Sequence, residues 1–305
     1  MYRSILVPVD GSSFAEQALP AAATLARRDG AGLHVVLVHQ PLPLEQPHEF
    51  AVSRLHEAEN AYLTRLVTAV EQHFHVRASS ELLEGDPAHG IRDAAHALGA
   101  DLVVMTTHGR TGVSRSWLGS VADAVMRGAT MPVLMIRPAP DGATPMRPVD
   151  ARFRCVLVPM DGSSLAAQVV EHALQLGGPV RCRYVLARIV EPVPLVDFGT
   201  PPTFPNPVLV DEPATRDCVA TAKQQTEATA AALRHEYPDA EVEVAVRTAP
   251  AVADALLQVA RDHAADAIAV ATHGRGVSRF VMGSVADKLL RGSTGAVLIY
   301  RPARD

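Results

Sequence analysis

Short, wholly apolar runs alternate along this chain with longer stretches in which apolar residues recur every three to four positions. Runs of the first kind predict strands near 4–9, 33–39, 101–106 and 132–137, and alternation predicts another over 76–83. Between them the helical period predicts helices over about 13–28, 49–74, 87–98 and 120–127. Ser13 and Glu16 read as a capping box opening the first helix, and Pro20 predicts a kink or break inside it. Leu55, Tyr62, Leu63, Leu66 and Val70 form the apolar face of the long helix, and Asp86-Pro87 opens the third. The order then repeats, with strands near 154–159, 182–190, 241–247, 266–271 and 296–301, and helices near 164–176, 214–236, 251–264 and 284–291. Strands alternating with helices imply an α/β fold, with a doubly wound parallel sheet of five strands in each half and helices on both faces.

Two pairs of motifs show that the halves are copies. Thr107-His-Gly-Arg-Thr-Gly returns as Thr272-His-Gly-Arg, each followed by Gly-Ser-Val-Ala-Asp. Val7-Pro-Val-Asp-Gly-Ser-Ser13 returns as Val158-Pro-Met-Asp-Gly-Ser-Ser164. The same motifs in the same order describe one duplicated unit. The expected organisation is a domain over 1–140, a Pro- and Gly-containing linker over 141–152, and a second domain over 153–305. An insertion over 191–213 carries seven prolines and could be a lid, a partner-binding strap or plain linker.

Charge narrows the partners. A net charge of −5 and a pI near 6.2 argue against a sequence-independent grip on nucleic acid or an anionic membrane. Cys155, Cys182 and Cys218 form no CxxC, and three cysteines cannot close a disulfide framework, so a reducing cytoplasm is expected. The opening apolar run is too short for a signal peptide, and no stretch approaches the roughly 20 apolar residues of a membrane span.

The chemistry lies after the first and fourth strands of each half. In open parallel sheets a ligand sits off the carboxyl ends of the strands, where strand order reverses. If strands one and four are neighbours there, both motifs face one crevice. Gly119-Ser120 opens a helix whose unpaired N–H groups favour phosphate, and glycine lets the backbone come close. Arg110 and Arg115 add positive charge. An ordinary strand-to-helix turn would read the same way. Asp10 at the first strand's tip could hold a ribose hydroxyl or an adenine amino group, or it could simply end the strand.

These motifs, with Gly85-Asp-Pro-Ala88 and the closing Pro-Val-Leu-Met-Ile-Arg137 strand, resemble the universal stress protein family over nearly all of both halves. The resemblance implies a tandem, HUP-like fold whose last strands pair across a pseudo-dimer interface, within the chain or between two chains of a dimer. It also implies a stress-response regulator that binds ATP, a nucleotide Mg2+ could accompany. Carried over by position, the nucleotide set in the first half is Pro8, Val9, Asp10, Gln40, Thr106, His108, Gly109, Arg110, Gly119, Ser120 and Val121. In the second half it is Asp161, Ile189, Ala271, Gly274, Gly283, Ser284 and Val285. Asp10 would contact the nucleoside and the main chain near Gln40 the adenine, while Gly109, Gly119, Ser120 and Val121 would hold the phosphates.

Two departures touch that pattern. The first glycine of the family's G-x2-G-x9-G-[S/T] loop is Thr106 in one half and Ala271 in the other, and the second loop is one residue shorter. A non-binding dimerisation or interaction scaffold of the same fold is the alternative. His108 and His273 are read as loop-fixing rather than catalytic. The pair His73 and His75 does not share a helix face, so no metal site is expected. No general base is paired with a nucleophile, and the chain is not expected to be an enzyme beyond incidental ATP turnover.

Overall fold

The computed structural model describes residues 1–40, 49–107, 118–139, 153–178, 182–195, 209–272 and 283–301. The chain divides into two compact units. In the first, the elements run β1 (Ser4–Val9), α1 (Ser13–Glu16), α2 (Leu19–Asp29), β2 (Gly32–Val38), α3 (Glu49–Phe74), β3 (Ala78–Leu83), α4 (Pro87–Ala97), β4 (Leu102–Thr106), α5 (Ser120–Gly128) and β5 (Val133–Ile136). Their strand order is β3-β2-β1-β4-β5, all parallel. β1 and β4 are buried along their whole length, as strands covered on both faces must be, and apart from Ser4 and Thr106 at their ends both read as apolar runs. The edge strand β3 is largely exposed and carries Ser79, Ser80 and Glu81.

The second unit repeats the plan with β6 (Cys155–Pro159), α6 (Ser164–Gly177), β7 (Arg183–Val190), α7 (Glu212–Glu236), β8 (Glu241–Thr248), α8 (Val252–Asp262), β9 (Ala267–Ala271) and α9 (Ser284–Gly292). Its strand order is β9-β6-β7-β8, again parallel. The last strand of the second repeat, β10 (Ala296–Tyr300), falls with the first unit and pairs antiparallel with β5, Leu298 opposite Leu134. The closing strands of the two repeats therefore pair, and the compact units do not divide where the sequence repeat divides.

Local chemistry explains where the elements begin. The helix expected over 13–28 is two helices, because Pro20 occupies the first turn of α2 and α1 ends after Glu16. The capping box is corrected by one residue. Ser12 is the N-cap, its Oγ accepting from Ala15 N at 3.2 Å, while Glu16 accepts from the Tyr62 hydroxyl at 2.9 Å. Asp86 caps α4 as expected, with Pro87 next to it. On α3, Leu63, Leu66, Val70 and Phe74 are buried at helical spacing. Only the roots of the Pro-rich insertion are described: Pro194 bridges Val210, and Leu195 N–H donates to Leu209 O at 2.7 Å.

At the amino ends of the strands each repeat uses one carboxylate in the same way. Asp101 accepts from Arg3 N at 2.8 Å and Ser4 N at 3.2 Å, fixing the start of β1 beside β4. Asp266 accepts from Arg154 N at 2.6 Å and Cys155 N at 2.9 Å, fixing β6 beside β9.

Candidate functional site

Strand order reverses at β1. From it the chain steps outward to β2 and β3 on one side, then returns to β4 on the other. The neighbours β1 and β4 thus form the switch point at which such sheets bind ligands. Their register pairs Ile5 with Leu102 and Leu6 with Val103, and continuing it sets Val9 beside Thr106 and Asp10 beside Thr107. In the second unit Val156 pairs with Ala267 and Leu157 with Ile268, which sets Asp161 beside Thr272.

Asp10 first does local work. Its Oδ1 accepts from Ser12 N at 3.0 Å and Ser12 Oγ at 2.6 Å, a turn that Gly11 completes at φ 82°. Asp161 Oδ1 accepts from Ser163 N at 2.8 Å, and Gly162 also has φ 82°. Both carboxylates therefore end a strand and start a helix, and any ligand contact is additional to that role.

Across the switch point, Gly119 N–H donates to Thr107 O at 2.9 Å, closing the loop after β4 onto the strand it leaves. Gly283 N–H does the same to Thr272 O at 3.1 Å. Through Thr107, the Asp10 turn and the Gly119–Ser120 bend are brought to the carboxyl ends of one adjacent strand pair. Gly119 and Gly283 are N-caps with no side-chain hydrogen bond, as are Ala18 of α2 and Ala251 of α8, whereas α1, α4, α6 and α7 are capped by Ser12, Asp86, Ser163 and Asp211. The starts of α5 and α9 consequently present amides without a side-chain acceptor, next to the exposed Ser120 and Ser284 and the half-buried Val121 and Val285.

His108, Gly109, Arg110 and Gly274 lie outside the described residues. Pro8 and Val9 are buried in β1. Thr106 is buried at the end of β4 and Ala271 half-buried at the end of β9, and neither has a positive φ. The freedom of a glycine is thus not required at either position.

The chain matches the universal stress protein family over residues 1–137 and again over 152–301. It belongs to that family. Among curated relatives, the universal stress protein MJ0531 of Methanocaldococcus jannaschii is 34% identical over 142 residues, which is 45% of this chain and 83% of that protein. A universal stress protein of Thermus aquaticus is 37% identical over 142 residues, 45% of this chain and all of that protein. A crystal structure of a universal stress protein from Archaeoglobus fulgidus superposes with a TM-score of 0.68 at 18% identity, covering 99% of this chain and 97% of that one. At that identity the likeness concerns the fold.

Within this universal stress protein, strand register corrects one equivalence between the repeats. Pro8 pairs with Val36 and its counterpart Pro159 with Ala187. Ile189 therefore corresponds to Val38, and the counterpart of Gln40 is Glu191, two residues further on. Leu37, buried in the first unit, corresponds to Arg188 in the second. Arg188 donates to Gln225 Oε1 at 3.2 Å, and its Nη1 lies 2.5 Å from where a Cβ on Gly162 would stand. A guanidinium thus covers the second repeat's strand-one turn at a place where the first repeat has an aliphatic side chain.

His73 and His75 end α3. His73 Nδ1 bonds Ala69 O at 2.7 Å, and His75 sits just past the helix at φ 55°. A different set comes together instead: His39 at the end of β2 with His56 and Glu59 of α3. The helical spacing of His56 and Glu59 is the only local trace of it in the sequence.

Proposed function

We propose that this protein is a cytoplasmic, ATP-binding regulator of the stress response, with its working site in the first repeat. The observation that carries this reading is the Asp10 turn and the uncapped Gly119–Ser120 helix start at the carboxyl ends of neighbouring strands β1 and β4. In it, Asp10 holds the nucleoside and the amides of Ser120 and Val121 hold the phosphates, with Ser120 adding a hydroxyl. These donors suit a polyphosphate, and Mg2+ would travel with the nucleotide, neutralising phosphate charge. The protein acts by binding, with no dedicated hydrolytic step.

For the second repeat the scaffold reading is favoured, on the guanidinium of Arg188 over Gly162. Its closing strand β10 then serves the pairing with β5. The test is calorimetric titration of the purified, nucleotide-stripped chain with ATP. One equivalent per chain is expected. Absence of binding, together with no adenine nucleotide released from the freshly purified and denatured protein, would leave the scaffold as the better description of both repeats.

A further inference from the structure

The His39, His56 and Glu59 cluster is independent of the nucleotide reading. The His39 N–H donates to Leu83 O at 2.7 Å, which fixes this residue where β2 and β3 end. Its side chain is only 5% exposed, and Nδ1 lies 2.8 Å from Glu59 Oε2. The His56 ring meets the His39 ring edge-on, with centroids 4.2 Å apart and planes at 87°. His56 and Glu59 are three residues apart on α3 and so share a face. One donor atom from each of the three residues lies within 4.8 Å of the others.

A hydrogen bond between His39 and Glu59 accounts for two members of this group but not for the third. His56 Nε2 is buried and makes no hydrogen bond. Glu84 Oε1 stands 3.2 Å from it, within ion-pair range but not aligned as a hydrogen bond. A buried nitrogen left in that state costs stability, and a cation would satisfy it together with its neighbours.

We propose that His39, His56 and Glu59 bind one zinc-class divalent cation, with the exposed carboxylate of Glu84 able to close the fourth position. Two imidazoles and a carboxylate suit zinc and its transition-metal neighbours rather than magnesium or calcium, which take oxygen donors. Metal–ligand bonds of about 2.1 Å in a tetrahedron put donors about 3.4 Å apart. Modest side-chain rotation from the present spacing reaches that distance. The cation would pin α3 to the strand end that carries Gln40.

The full chain, stripped with a chelator and dialysed, should be titrated with zinc chloride by calorimetry, with cobalt(II) absorption as a second readout. One equivalent per chain is expected with a Kd below about 1 µM, together with the d–d bands of tetrahedral cobalt. His56→Ala and Glu59→Gln should each weaken zinc at least about 10-fold and remove those bands. Circular dichroism of the metal-free variants should match that of the parent. His73→Ala and Cys218→Ser, both exposed, should leave binding unchanged. No binding by the parent, equal binding by the parent and both cluster variants, or loss of binding in Cys218→Ser would overturn the proposal.

Discussion

On the strand beside its Asp10 turn the first repeat carries Leu37, buried in the core. At the same register position the second repeat carries Arg188, whose guanidinium lies over Gly162. Otherwise the two ends of strand one match closely: the same Asp-Gly-Ser-Ser string, the same glycine conformation and the same serine cap. The loops after the fourth strands also close by the same hydrogen bond to Thr107 or Thr272. Duplication has thus kept the backbone device in both copies and exchanged an aliphatic residue for an arginine on the neighbouring strand. A backbone device can persist for folding alone, so a ligand role is to be sought first in the copy without that guanidinium over its turn.

The largest expected effect separates the copies directly. Gly119→Val should lower ATP affinity by more than about 100-fold, roughly 2.7 kcal/mol, by filling the phosphate approach. The fold should tolerate it: φ at Gly119 is −64°, and an added Cβ would stand 3.5 Å from Thr107 O, an ordinary contact. Gly283→Val should leave ATP affinity and stoichiometry unchanged. Its Cβ would come within 3.1 Å of Thr272 O, so any cost should appear in thermal stability. Equal losses of binding in the two variants would erase the distinction between the repeats.

Much of this was legible in the sequence, and the exceptions have physical causes. Buried parallel strands announce themselves as apolar runs and Pro87 marks a helix start, whereas Pro20, read as a kink or break within one helix, opens a second one. The cap of α1 was misplaced because Ser12 and Ser13 are adjacent, and composition cannot say which one has the extended backbone of an N-cap. The slip between Gln40 and Ile189 is by two residues. Side chains on a strand alternate with period two, so such a slip keeps every residue on its own face and the hydrophobic pattern cannot reveal it. The histidine cluster stayed hidden because His39 is brought to α3 only by tertiary packing.

At the amino ends of the strands the repeats should behave alike. Asp101→Ala and Asp266→Ala each remove an acceptor from two backbone N–H groups, at a cost of about 1–2 kcal/mol. Each should lower the midpoint of thermal unfolding by about 2–6 °C, read by circular dichroism, with ATP affinity in Asp101→Ala unchanged. A markedly larger effect in one repeat would show that its sheet leans on this clamp more than the other does. Cysteine chemistry at the clamp should not confuse the measurement: Cys155 and Cys182 are buried, burial pushes the Cys182 thiol up to about 11, and the exposed Cys218 is kept reduced with a thiol in the buffer.

The smallest effect concerns how the helix after strand one ends. In the first repeat α2 closes on Asp29, whose carboxylate accepts from Tyr2 N at 2.8 Å and from Arg28 at 2.7 and 2.9 Å. Burial alone would raise its pKa, but the Arg28 guanidinium and the Tyr2 N–H outweigh it and hold the carboxyl below the usual range. In the second repeat α6 closes on Gly177, where an added Cβ would collide with Cys182 Sγ, and the Tyr184 hydroxyl donates to Gly178 O at 2.6 Å. A carboxylate whose folded pKa is depressed adds stability above its unfolded pKa, near 4, and that contribution fades as pH falls through the folded value. Asp29→Asn should therefore cost about 1 kcal/mol at pH 7 and progressively less below pH 4, measured by urea unfolding. Hydrogen exchange in acid should loosen the end of α2 before the end of α6, whose hydroxyl–carbonyl tie does not titrate in that range. A penalty for Asp29→Asn that stays constant from pH 7 to pH 3 would mean that the side chain's shape, not its charge, secures this corner.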